Sequence, residues 1–114
     1  MRRQRSVLGV VLLLLIGCAK ADPLVGSWVQ PIPGMEDQIQ GIKLEKGGRA
    51  ESINMYTLLY KSWEHKGNQL ILQGESVGNG QTINFTVVYV IKQLSLNKLV
   101  LQAEGEEEQS FERQ

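Results

Sequence analysis

The sequence predicts an all-β domain: an antiparallel up-and-down meander of about eight strands that closes into a small barrel. Three observations carry this expectation. Across residues 82–92, Ile83, Phe85, Val87, Tyr89 and Ile91 fall on one face while Thr82, Asn84, Thr86 and Lys92 fall on the other, the period of two of a half-buried strand. Turn-forming residues recur at a regular beat, at Gly47–Gly48, Lys66–Asn68, Asn79–Gly80 and Ser95–Lys98, and glycine and asparagine supply the positive φ angles that hairpins need. No stretch after the N-terminal segment carries apolar residues at helical spacing over a useful length.

Taken in order, the strands are expected at residues 24–30, 40–45, 49–54, 58–65, 69–75, 82–92, 99–103 and 110–113. The first contains Trp28. In the second, Ile42 and Leu44 alternate with Lys43 and Glu45, up to the Gly47–Gly48 turn. The third and fourth occupy the interval before Lys66–Asn68. Leu70 and Leu72 mark one face of the fifth, residues 82–92 are the sixth, and Leu99, Leu101 and Ala103 mark the seventh. Phe111 and Arg113 lie in the eighth. Val88 and Val90 interrupt the polar face of the sixth strand, which implies that part of that face is covered or lies against a neighbour. A meander of this length leaves two unpaired edges unless it closes, and closure removes ladder groups that invite aggregation. An open sandwich is the alternative, because periodicity does not separate the two.

The N-terminus has a different character. Arg2, Arg3 and Arg5 precede the aliphatic run Val7–Gly17, the layout of a secretory signal. A spanning helix needs about 20 apolar residues, so the run is too short for a permanent anchor. It ends in Leu15, Ile16, Gly17 and Cys18, which resembles the lipobox of bacterial lipoproteins. The resemblance implies cleavage before Cys18, a diacylglycerol on its thiol and an acylated amino terminus. Several acyl chains anchor stably where one holds marginally. Cys18 is then a membrane tether, and Ala19 after it points, by the same resemblance, to the outer membrane with the domain facing the periplasm. An ordinary signal cut near Ala19 or Ala21 is the alternative. The organisation is a signal over 1–17, a lipidated tether over 18–23 and a barrel over 24–114.

The whole chain has twelve basic and twelve acidic residues; with Arg2, Arg3 and Arg5 removed, nine face twelve, a net charge of −3. A nucleic-acid partner is not expected, since phosphate binding needs a basic face. With one cysteine in an oxidising compartment, the domain must be held by its core alone.

Gly26, Ser27 and Trp28, directly after the signal and at the head of a meander, match the G-x-W signature of lipocalins. With Gly26–Met35, Gly41–Asn54, Ser62–Trp63 and Gly74–Thr82, the chain from Leu24 to Leu101 resembles the small lipocalin-like domain of Gram-negative lipoproteins. The resemblance implies that Trp28 closes the barrel floor and that an arginine near the chain end lies over its ring. Arg113 is the arginine in that position. The chain is much shorter than full-length lipocalins and lacks their later motifs and disulfide, and side chains can fill the interior of a small barrel.

A ligand pocket would be lined by Tyr60, Trp63, Phe85 and Tyr89, whose other reading is ordinary core. His65 has no second histidine or cysteine near it in sequence, so no metal site is expected, and Met35 and Met55 read as flexible filler. Glu106–Glu108 reads as a solvated turn, without the spaced ligands of a calcium loop. No serine or cysteine has a histidine at a recognisable spacing, so neither catalysis nor a cofactor is expected. Three functions stay open: a lipid-anchored carrier of a small hydrophobic or amphipathic ligand; an envelope module that binds a protein partner, as an inhibitor or assembly factor; and a structural or stress-related lipoprotein.

Overall fold

The computed structural model describes residues 21–114; the expected signal over 1–17 and Cys18 lie outside the described residues. Eight strands follow one another: β1 (Gly26–Ile32), β2 (Met35–Leu44), β3 (Ala50–Ile53), β4 (Leu58–Lys66), β5 (Gln69–Gly78), β6 (Gln81–Leu94), β7 (Lys98–Ala103) and β8 (Gln109–Arg113). Every pairing is antiparallel, in the order β3-β2-β1-β8-β7-β6-β5-β4. The meander therefore closes through β1 and β8, the first and last strands, as a nearly complete barrel.

The incomplete junction is β3–β4. One bridge, Arg49↔Ser62, joins the residue just before β3 to β4, and the Trp63 amide donates to the Gly48 carbonyl at 2.9 Å. Further up, a side chain replaces the ladder: the Ser52 hydroxyl donates to the Leu58 carbonyl at 2.6 Å and accepts from the Tyr60 amide at 2.9 Å. Two backbone groups are thus satisfied where no strand partner reaches them.

Alternation decides the interior. Trp28, Ile42, Leu44, Ala50, Tyr60, Trp63, Leu70, Leu72, Tyr89, Leu99, Leu101 and Phe111 form one buried cluster, and among the described residues no charged or polar side chain is buried with them. Leu24, ahead of β1, also lies fully in this core. The core accordingly needs no disulfide; nonpolar burial at about 25 cal/mol per Å² holds it.

Two hairpins run longer than the sequence pattern indicates. Residues 31–35 read as a loop, yet β1 continues to Ile32 and β2 starts at Met35, joined by the two-residue turn Pro33–Gly34. Pro at the first and Gly, at φ +80°, at the second central position fit a type II turn. Pro31 lies past Val29, the last β1 residue paired with β8, and beside a register shift, a place where a strand tolerates proline. Residues 35–38 are exposed on both faces, so no apolar alternation marks them. Likewise β5 and β6 run on to the Asn79–Gly80 turn, and β6 meets β7 only from Tyr89 onward. Both hairpins overhang the same end of the barrel.

Candidate functional site

The barrel has a closed end and an open one. At the closed end, the Trp28 ring is fully buried and its Nε1–H donates to the Leu24 carbonyl at 2.8 Å. The Arg113 guanidinium carbon lies 4.2 Å from the centre of the Trp28 ring, a cation–π contact worth about 0.5–2 kcal/mol. The same group donates from Nη1 to the Val25 carbonyl at 2.7 Å, from Nη2 to the Pro23 carbonyl at 2.9 Å, and from Nε to the Leu96 carbonyl. One guanidinium therefore ties the segment before β1, the β6–β7 turn and the last strand together over a single indole. Trp28 and Arg113 are register partners in the β1–β8 pair, which is why residues so distant in sequence meet.

Gly26 is required by this arrangement. Its φ is +144°, and a Cβ placed there would lie 2.3 Å from Arg113 Nη1. The glycine two residues before the tryptophan is thus the space through which the arginine passes.

The closed end also holds Asp22 and His65. Asp22 Oδ1 accepts from the Leu24 amide at 2.8 Å, and His65 Nδ1 lies 2.9 Å from Asp22 Oδ2. Asp22 and Pro23, assigned to the tether by sequence, are therefore held by the domain. His65 looked isolated because its partner lies in that segment. Among the described residues no group of three His, Cys, Asp or Glu side chains gathers where a metal could sit.

At the open end the structure brings together Tyr60, Phe85 and Tyr89. Gly74 sits between Tyr60 and Phe85 in register, and the rings meet edge to face, 6.0 Å apart. A Cβ at Gly74 would lie 2.3 Å from the Leu59 carbonyl oxygen, so a side chain there would force β4 away. Burial pushes the Tyr60 hydroxyl well above the usual tyrosine pKa, with the Tyr89 hydroxyl as its neighbour. Burial also raises the Tyr89 pKa, followed by the negative charge of Glu106; hydrogen bonds from Tyr60 and Gln109 oppose the shift. Both phenols stay neutral under ordinary conditions. Trp63 is not part of this group: it lies toward the closed end, where its Nε1–H donates to the Glu45 carbonyl at 2.8 Å.

The sequence did not single out the opposite wall. Gln30, Gln40 and Gln109 continue the inward parity of Trp28, Ile42 and Phe111, and Gln30 Nε2 donates to Gln109 Oε1 at 3.2 Å. The mouth is thus two-sided, with amides on β1, β2 and β8 facing Leu58, Tyr60, Phe85 and Val87 on β4 and β6. Parity counted outward from Trp28 and Phe111 is the signal that reveals the glutamines. Outside the barrel, on the other face of β4, β5 and β6, Lys61, Ser62, Gln73, Glu75, Asn84 and Thr86 line a separate cleft of about 390 Å³.

A barrel closed by a tryptophan beneath an arginine and open at its other end defines the lipocalin-like class. The sequence profile described as lipocalin-like matches residues 20–114, and the chain belongs to that family. It is similar to a lipocalin-like protein from Bacteroides thetaiotaomicron, whose crystal structure superposes with a TM-score of 0.75 at 52% identity, covering 83% of this chain and 99% of that one. No curated protein matches the chain.

Proposed function

We propose that this protein is a secreted lipoprotein, anchored through Cys18 to the outer membrane and facing the periplasm, that binds a small amphipathic ligand in the barrel mouth. Lipocalin-like membership and the two-sided mouth support this reading, and the mouth carries it. A wall of amides opposite a wall of aromatic and aliphatic groups suits a molecule with one hydrogen-bonding edge and one apolar face. Beneath it, Leu70, Leu72, Leu99 and Leu101 fill the barrel, so the ligand sits at the rim above a solid base. The role is carriage or sensing without catalysis, cofactor or metal.

Native mass spectrometry of the mature chain carrying Cys18→Ser, purified from its own envelope, tests this. The expected result is a bound small molecule that Phe85→Ala removes and Trp63→Phe leaves in place. An unliganded mass in every preparation would overturn it.

One observation favours a second reading. Residues 81–88 of β6 have no β7 partner, and Val88 and Val90 are exposed on its outer face. A protein partner that adds a strand to this edge would use main-chain hydrogen bonds, and crosslinking from β6 would identify it.

A further inference from the structure

We propose that the closed end of the barrel seats on the anionic phospholipid surface that holds the chain's own anchor, so that the mouth points away from the bilayer. This rests on the reading of Cys18 as the lipidated residue.

Chain length supplies the first argument. Asp22 is fixed to the closed end by His65 and the Leu24 amide. Only four residue steps separate it from Cys18, a reach of about 14 Å at full extension. The closed end therefore stays close to the headgroups. The β5–β6 hairpin tip stands far from it, since a ten-residue strand such as β5 rises about 33 Å.

Surface chemistry supplies the second. The turns at the closed end present Leu96, 77% exposed, next to the Arg113 contact and the Pro23 carbonyl. Around them Lys43, Lys46, Arg49, Lys66, Lys92, Lys98 and Arg113 stand against Asp22, Glu45, Glu51, Glu64 and Glu112, an excess of cations even with Arg49 paired to Glu51 at 3.2 Å and Lys66 to Glu64 at 3.8 Å. The mouth end also exposes apolar side chains, Tyr56 at 82% and Ile83 at 60%. There, however, Glu36, Asp37, Glu75 and the carboxylates of the β7–β8 turn surround them, with Lys61 paired to Glu75 at 3.9 Å. An anionic surface attracts the first end and repels the second, over a distance set by the Debye length of about 8 Å in physiological salt. The mouth would then face the aqueous space and load from it.

The test uses the lipidated full-length mature chain in vesicles of phosphatidylethanolamine and phosphatidylglycerol. A polarity-sensitive fluorophore is placed at Leu96→Cys or at Tyr56→Cys, both exposed positions, while the lipidated Cys18 is unavailable to the label. The expected result is a blue-shifted emission at position 96 and none at 56, with the shift lost in the Lys46→Glu/Lys98→Glu variant and in vesicles of phosphatidylcholine alone. Protein that floats with the vesicles but shows no shift at 96, or a shift at 56, overturns the orientation while the anchor stands. Protein that does not float with the vesicles overturns the anchor and the orientation together.

Discussion

The two ends of this barrel solve opposite problems with the same strands. At the closed end, each strong donor of Trp28 and Arg113 has a carbonyl partner, and three separate chain segments converge on one ring. At the open end, β1 runs on past β8, β6 outruns β7, and Ser52 stands in for a missing ladder. The difference teaches where the stability of the domain resides and where its surface is left for recognition. The closed end is saturated with internal bonds, whereas the mouth keeps the glutamine amides and the Phe85 ring partly exposed.

Mutations can break or sharpen that contrast. The largest effect is expected from Trp28→Ala, which removes the largest fully buried side chain and should cost about 3–5 kcal/mol, read as a lower urea midpoint. Arg113→Ala should cost about 2 kcal/mol by the same measurement, because it loses the ring contact and leaves three carbonyls to water. Phe85→Ala, at the half-buried rim, should cost about 1 kcal/mol while abolishing the proposed ligand binding. If Phe85→Ala proved as damaging to stability as Trp28→Ala, the contrast between the ends would fail.

The smallest effect concerns pH. Burial raises the pKa of Tyr60 and Tyr89 in the folded state, so the folded chain holds protons that the unfolded chain releases above about pH 10. Their contribution is fully present below that value and is lost as pH rises through the raised folded values. Tyr60→Phe should therefore flatten the alkaline fall of the melting temperature and leave the acid side unchanged. An unaltered alkaline slope would show that the Tyr60 phenol is not shielded as the geometry implies.

Much of the fold was legible because one face of each strand meets the core. Ile42 with Leu44, Leu70 with Leu72, and Leu99 with Leu101 announce their strands by period, and the turns between them mark eight strands; closure rests on the cost of unpaired edges, since periodicity does not separate a barrel from an open sandwich. The overhanging parts were not legible. Met35 to Gln38 are wet on both faces, so neither periodicity nor hydrophobicity marks them, and Pro31 and Pro33 read as breakers. At the site, Trp28 and Arg113 stand out as a signature and a lone terminal arginine, and they meet in register. The Gln30, Gln40 and Gln109 wall escaped because glutamine on a strand resembles solvent-facing filler until its parity is counted. Trp63 carried no sequence mark of which end it serves; its position follows from the Glu45 carbonyl at the start of the β2–β3 turn.

The β1–β8 junction has a consequence for how the chain reaches this state. Only two register pairs, Trp28↔Arg113 and Val29↔Glu112, join these strands, and they span nearly the entire domain. A loop of that length closes late, since the entropy of bringing its ends together is lost before the contacts compensate. A chain delivered N-terminus first must therefore wait, as an open sheet with its indole uncovered, until Glu112 and Arg113 arrive. Completion of the barrel is in this sense timed by its last strand, and loss of Glu112 to Gln114 would remove both β1–β8 register pairs while leaving the hairpins up to β7 intact.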